Sequence, residues 1–302
     1  MPNTKALQVG TVWVCLTLWA CAPPYETNPA KVFDGRPAPS FHEYTLGDRT
    51  IHYAATGDPE QPLVVFLHGT PGSWKAFAGY LAQAELAKRA RLSAVDRPGF
   101  GKSGYKALLP SLARQAELLN PLLDLDTTGC WAILVGHSLG APLAVRMAMD
   151  YPEKIGGLVL IAPSLDPDLE DPRWYNRLAT YKAVSWAVPT PLILANREVM
   201  LLQGELREMM PLWRTLSTPV TLIQGEKDKL VMPENADFAE RMVQSPLKMV
   251  RVPEAGHFIL WDQPDIIIAE ILDMRDVLGQ AHPALCRYNR PTPAPVNPDP
   301  GK

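Results

Sequence analysis

Six short apolar runs, Leu63–Leu67, Leu92–Val95, Ala132–Val135, Leu158–Ile161, Val220–Ile223 and Met249–Val252, constrain this chain more than any other feature. Nearly all lack polar alternation, so each needs cover on both faces, which is the condition of a strand in a parallel sheet. Longer helical patterns lie between or beside them, at about 75–89, 111–123, 139–150 and 264–278. Alternation of this kind is the signature of βαβ units, and it predicts an α/β fold with a mostly parallel central sheet flanked by helices. Phe41–Leu46 and Thr50–Ala55, parted by Gly47-Asp48-Arg49, read as an antiparallel hairpin at the sheet edge.

One interval breaks the alternation. Residues 164–217 hold no good strand, but they carry Trp174, Tyr175, Tyr181, Trp186 and Trp213 amid helical stretches, which predicts an inserted helical cap. The core is then split into 41–163 and 218–280. Packing accounts for any single one of these aromatics. Together they predict an apolar pocket, with Trp74, Trp174, Tyr175 and Trp186 as candidate substrate-binding residues.

The two ends have a different character. Residues 1–22 place one cation, Lys5, before the apolar run Val9–Trp19, then Leu18-Trp19-Ala20-Cys21, with the pair Pro23-Pro24 following, the layout of an export segment. The run is shorter than the ~20 residues of a spanning helix, which argues against a transmembrane anchor. Leu18–Cys21 resembles a bacterial lipoprotein box, which implies a lipid on Cys21 and a place in the cell envelope; soluble secretion is the alternative. Residues 23–40 read as a Pro-rich linker, and 281–302, with five prolines from Pro291 to Pro300, as a disordered tail.

Composition narrows the partners. The net charge of −3 comes from 29 basic and 32 acidic residues without long single-sign runs, so the electrostatic footprint of nucleic-acid binding is missing. A small, weakly charged molecule is the expected partner, with membrane contact only through the N-terminal segment and the oligomeric state open. Of four cysteines, Cys15 and Cys21 fall in that segment. Cys130 and Cys286 remain, too few for a metal cluster, and whether they pair or stay as thiols is open.

The chemistry begins at Gly136-His137-Ser138-Leu139-Gly140, which follows one apolar run and opens a helical pattern. Two glycines permit a sharp turn and close strand–helix packing, so Ser138 projects from the end of the sheet as candidate nucleophile. A serine hydroxyl is a weak nucleophile until a base takes its proton. Of six histidines, His42 and His52 lie in the hairpin, His282 in the tail, and His68 and His137 in glycine turns where the backbone is expected to matter most. That leaves His257, in the loop after Met249–Val252, as the candidate base. Asp228, directly after Val220–Ile223, is the candidate orienting acid; Asp166 or Asp168 is the alternative, and Asp262 reads as a helix start. His68-Gly69-Thr70-Pro71-Gly72 follows a core strand, which makes the N–H groups of Thr70 and Leu139 the candidate oxyanion donors. Such a set needs neither a metal nor an organic cofactor.

His68–Ser73, Asp96-Arg-Pro-Gly-Phe-Gly-Lys-Ser103, Gly136–Gly140 and the Asp228 and His257 loops resemble the α/β-hydrolase superfamily, in order, over about 41–278. The resemblance implies that fold with a helical cap, the chain order Ser138, Asp228, His257, and a structural role for the 96–103 turn. Gly101-Lys102-Ser103 is no phosphate loop, because Asp96 stands where the motif needs glycine. The superfamily includes epoxide hydrolases and haloalkane dehalogenases with a similar His-Gly-x-Pro turn, but those use an aspartate nucleophile. Ser138 therefore implies acyl transfer to water, with a small to medium carboxylic ester as the simplest substrate. A C–C bond hydrolase, an amidase, a perhydrolase and a non-catalytic ligand-binding derivative are the rival readings.

Overall fold

The computed structural model describes residues 28–104, 109–172, 176–177, 181 and 188–281. Its strands are β1 (Ser40–Leu46), β2 (Arg49–Gly57), β3 (Leu63–Leu67), β4 (Arg91–Val95), β5 (Ala132–His137), β6 (Ile155–Ile161), β7 (Val220–Gly225) and β8 (Leu247–Val252). They form one sheet in the order β1-β2-β4-β3-β5-β6-β7-β8. The β1/β2 hairpin occupies one edge as expected, and β2 is also antiparallel to β4; from β4 to β8 every pairing is parallel.

The uninterrupted apolar runs work as two-faced strands. All five residues of β3 are buried, and successive side chains point to opposite faces. Leu63, Val65 and Leu67 join Leu118, Leu143 and Met147 on one face, while Val64 and Phe66 meet Phe77, Tyr80 and Ile271 on the other. Each such side chain contributes about 1.5–3 kcal/mol by leaving water. β8 departs from that rule: it is an edge strand, and Lys248 and Arg251 on it face Glu270 and Glu226 at 2.6 and 3.1 Å. Charges of this kind discourage pairing with a foreign strand.

Tertiary packing and proline chemistry redraw two helices. The pattern at 75–89 breaks into a 3₁₀ turn at Trp74–Phe77 and two short helices, Ala78–Leu81 and Ala84–Arg89, as the Tyr80 hydroxyl donates to the Leu260 carbonyl at 2.5 Å. The pattern at 111–123 ends as an α-helix at Leu119 and tightens into a 3₁₀ segment, Asn120–Leu125, because Pro121 lacks the N–H that the α-helix would use. The helix Gly140–Asp150 follows β5 as expected, and Pro264–Ala281 runs slightly past its expected end. Asn235–Met242 is a helix that the periodicity of the sequence did not single out.

Between β6 and β7 the described residues contain no strand; they contain the 20-residue helix Thr190–Met209 and a 3₁₀ turn, Met210–Thr215. Trp213 has the packing role expected of a single aromatic: it is buried, edge-on to Phe238 at 5.5 Å. Trp174, Tyr175 and Trp186 lie outside the described residues, as do the segment 1–27 and the tail 282–302. No helix among the described residues is long and apolar enough to cross a membrane. Cys130 is disulfide-bonded.

The linker is shorter than the sequence suggests. Asn28 caps a helical turn, Pro29–Val32, by accepting from the Ala30 N–H at 3.1 Å. Phe33 is then buried in the same cluster as Phe77 and Tyr80, and Arg36 donates to the Ala82 carbonyl at 3.4 Å. A single aromatic amid proline and polar residues gives no periodic signal, yet its burial ties this stretch to the domain. Replacing it, Phe33→Ala, is expected to cost about 3 kcal/mol of unfolding free energy by urea denaturation, whereas a free tether would show no change.

Candidate active site

Sheet order determines where a site can form. From β3 the chain steps outward to β4, then returns to the other side of β3 as β5 and continues to β6, β7 and β8. Such a reversal opens a crevice at the carboxyl ends of the strands on either side of it. The loops after β3 and β5 meet there so closely that a Cβ at Gly69 would lie 3.0 Å from the Ser138 Cβ.

Ser138 sits at φ +53°, a left-handed conformation that costs a side-chain-bearing residue of order 1–3 kcal/mol. Its backbone is clamped on both sides: its N–H donates to Ile161 O at 2.9 Å, and its carbonyl accepts from the Ala141 N–H at 3.0 Å. The glycines make the turn possible. A Cβ at Gly140 would stand 2.1 Å from Leu67 O, and one at Gly136 would stand 2.5 Å from Gly140 O.

His257 enters from the loop between β8 and the short helix Ile259–Asp262. Its Nδ1 lies 2.8 Å from Oδ2 of Asp228, whose carboxylate side chain is fully buried. The other carboxylate oxygen accepts the N–H groups of Leu230 and Val231 at 2.8 and 2.9 Å. With every neighbour of Asp228 donating, Nδ1 carries the proton and Nε2 presents its lone pair. Neither alternative acid does this: Asp166 accepts from the Asp168 N–H at 2.9 Å, and Asp168 faces Arg207 at 3.6 Å. Asp262 is the last residue of the short helix Ile259–Asp262 and not the start of one, two positions ahead of the helix Pro264–Ala281.

Ser138, His257, Thr70 and Leu139 all line one cavity of about 410 Å³, within the range of small-molecule sites. Leu192, Ala195, Asn196, Val199 and Leu202 give it a wall from one face of the helix Thr190–Met209, and Leu230 and Met232 complete it from the loop after β7. Among the described residues, the N–H groups of Thr70 and Leu139 are committed to no other acceptor.

Trp74 is the sequence-selected residue that the structure moves elsewhere. Ser73 caps the 3₁₀ turn that Trp74 opens, the Trp74 N–H donates to Asp96 Oδ1 at 2.8 Å, and its ring is buried edge-on to Phe41 at 5.2 Å. It does not line the cavity. The 96–103 turn keeps its structural role, with Asp96 also accepting from His52 and the Lys102 N–H.

Two histidines matter through their rings, not only their backbones. His68 accepts the Arg97 N–H at Nε2, 3.0 Å, and donates from Nδ1 to Gly69 O, 2.7 Å. His137 donates from Nε2 to the His257 carbonyl at 3.1 Å, which steadies the loop that carries the candidate base. Burial, with the neighbouring His257 adding to it, pushes the His137 imidazole down to about 3. Glu170, another cavity residue without a sequence signal, is held above the usual carboxylate range by burial, against the opposing Ser164 hydrogen bond.

A buried neutral histidine makes stability depend on pH in one direction. The unfolded chain takes its proton near 6.5 and the folded one only near 3, so the contribution is present above 6.5 and is lost as pH falls through that window. His137→Gln keeps a donor for the His257 carbonyl but takes no proton. Its unfolding free energy is expected to fall less steeply than that of the wild type between those pH values, measured by denaturant titration.

The chain matches the model of the alpha/beta hydrolase family over residues 64–270. It is 24% identical to Epoxide hydrolase 4 of Mus musculus over 266 residues, 72% of this chain and 74% of that protein. It is 26% identical to the 2-(acetamidomethylene)succinate hydrolase of Mesorhizobium japonicum, over 71% of this chain and 88% of that one. In structure it resembles the thioesterase domain of the curacin biosynthetic pathway, with a TM-score of 0.60 at 22% identity, covering 78% of this chain and 100% of that one. Fold, the turn at Ser138 and family match agree: this chain is a member of the alpha/beta hydrolase family, an enzyme of hydrolytic type.

Proposed function

We propose that the enzyme hydrolyses small to medium carboxylic esters through an acyl-enzyme on Ser138. One observation carries this reading: a serine on a positive-φ turn and a histidine oriented by a buried carboxylate share one cavity with two uncommitted N–H donors. In the proposed cycle, Nε2 of His257 takes the Ser138 proton as Oγ attacks the ester carbonyl. The Thr70 and Leu139 N–H groups hold the oxyanion, and the imidazolium then protonates the departing alcohol. Water, deprotonated by the same nitrogen, attacks the acyl carbon and frees the acid and the serine. The helix Thr190–Met209 acts as the cap, with its apolar face against the acyl chain.

Chemistry separates this reading from the activity named for some relatives. A serine oxygen opening an epoxide would leave an ether, which offers water no carbonyl to attack, so turnover would stop after one event. Ser138→Ala is expected to reduce p-nitrophenyl butyrate hydrolysis to a few per cent of wild type or less. Persistence well above that level overturns the proposal, and a parallel panel of amide and β-diketone substrates reports whether another bond is the better one.

For location, we propose export to the bacterial cell envelope with a lipid on Cys21. Supporting it are the Leu18–Cys21 box and the disulfide at Cys130, which suits an oxidising compartment. Mass spectrometry of the mature protein is expected to find Cys21 as a lipid-modified first residue; an unmodified Met1 start would sink it.

A further inference from the structure

Arg97 and Glu198 form a buried ion pair between the core and the insertion, with side chains 0% and 2% exposed. The contact is fork to fork: Nη1 to Oε1 at 2.7 Å and Nη2 to Oε2 at 3.0 Å. The guanidinium spends its remaining donors on the loop after β3 and on Gln115. Nε donates to His68 O at 2.7 Å, Nη2 to Gly69 O at 3.1 Å, and Nη1 to Gln115 Oε1 at 3.0 Å. Gln115 in turn donates to Glu198 Oε1 at 3.2 Å and Leu109 O at 2.7 Å, so every partner in the cluster is satisfied.

The peptide plane turns this cluster into a device. In a trans peptide the C=O and N–H of one unit point in opposite directions. Gly69 O and the Thr70 N–H belong to the same unit. Two donors, Arg97 Nη2 and His68 Nδ1, pull that carbonyl away from the cavity and thereby aim the Thr70 N–H into it. The carboxylate that keeps the guanidinium in place stands on the same helix whose residues Leu192 to Leu202 form the cavity wall, on the flank of that face. Withdrawing that helix would leave a buried cation without its counter-charge, beside the loop that has to hold an oxyanion.

We infer that Arg97 and Glu198 are positioning residues that couple the seating of the cap helix to the aim of the Thr70 oxyanion donor. The oxyanion role rests on the acyl-transfer reading above. Under this coupling the donor is in place only when the substrate wall is also in place, which ties the hydrolytic geometry to a closed cavity.

Glu198→Gln keeps the shape of the side chain and removes its charge; Arg97→Lys keeps the charge and removes the fork. Both are expected to lower kcat for p-nitrophenyl butyrate by ~10- to 100-fold, short of the ~10²–10³ seen when an oxyanion donor is deleted outright. KM should move less than about threefold, since the acyl wall survives, with rates referred to active sites titrated by a fluorophosphonate. Hydrogen exchange gives a reading that needs no ester chemistry: amides of 68–72 and of 190–209 should exchange faster together in Glu198→Gln, with β5 and β6 unchanged. Should the single variants fail to fold, Arg97→Met/Glu198→Leu removes both buried charges. That pair should fold and show the same kcat loss. Unchanged loop exchange in Glu198→Gln, or wild-type kcat per titrated site in the double variant, would overturn the coupling. A wild type inert toward esters would overturn the acyl-transfer reading instead, and the exchange result would still decide whether cap and loop are linked.

Discussion

The site is organised by the close approach of the turn at Ser138 to the strand beside it. Gly140 lies where any Cβ would collide with the Leu67 carbonyl, so the helix Gly140–Asp150 abuts β3 and leaves the serine at φ +53°. That conformation survives because Ile161 and Ala141 hold the backbone on both sides. From it follow the projection of the hydroxyl from the sheet, the uncommitted Leu139 N–H at the helix start, and the contact with the loop after β3. The reversal of strand order between β3 and β5 supplies the space that Ser138, Leu139 and Thr70 line.

Around this turn the polar groups are arranged in tiers. Asp228 is buried with both oxygens engaged, His257 is oriented by it, and His137, next to the serine in sequence, fastens the His257 carbonyl. On the other side His68 and Arg97 fasten the carbonyls of the β3 loop. The side-chain donors of His68, Arg97 and His137 each meet an acceptor, which is the condition for such groups to rigidify a site rather than destabilise it. Charge is confined to positions where a counter-charge or several N–H groups answer it.

Membership of the family settles fold and hydrolytic type, while the bond cleaved follows from the chemistry of individual side chains. Under the proposed acyl transfer, serine at the turn, with His257 as base and two N–H donors, favours a substrate whose intermediate carries a carbonyl. On the same proposal, the apolar face of the helix Thr190–Met209 suits a hydrocarbon acyl portion, and Glu170 lines the same cavity with a carboxyl held toward its protonated form.

The sequence by itself determined the sheet strands, the elbow and the three residues now gathered at one crevice, because each is written in a few consecutive positions. Burial on both faces leaves an uninterrupted apolar run, and a sharp strand-to-helix turn requires glycine at two fixed offsets. Trp74 shows the limit of such reading: a tryptophan beside a glycine loop looks like a pocket residue until a capped 3₁₀ turn carries it into the core. The rings of His68 and His137, the burial of Phe33, and an ion pair spanning 101 positions between Arg97 and Glu198 left no periodic trace. Only the tertiary structure decided them, since a side chain's partner depends on which distant element packs against it, and no local pattern encodes that choice.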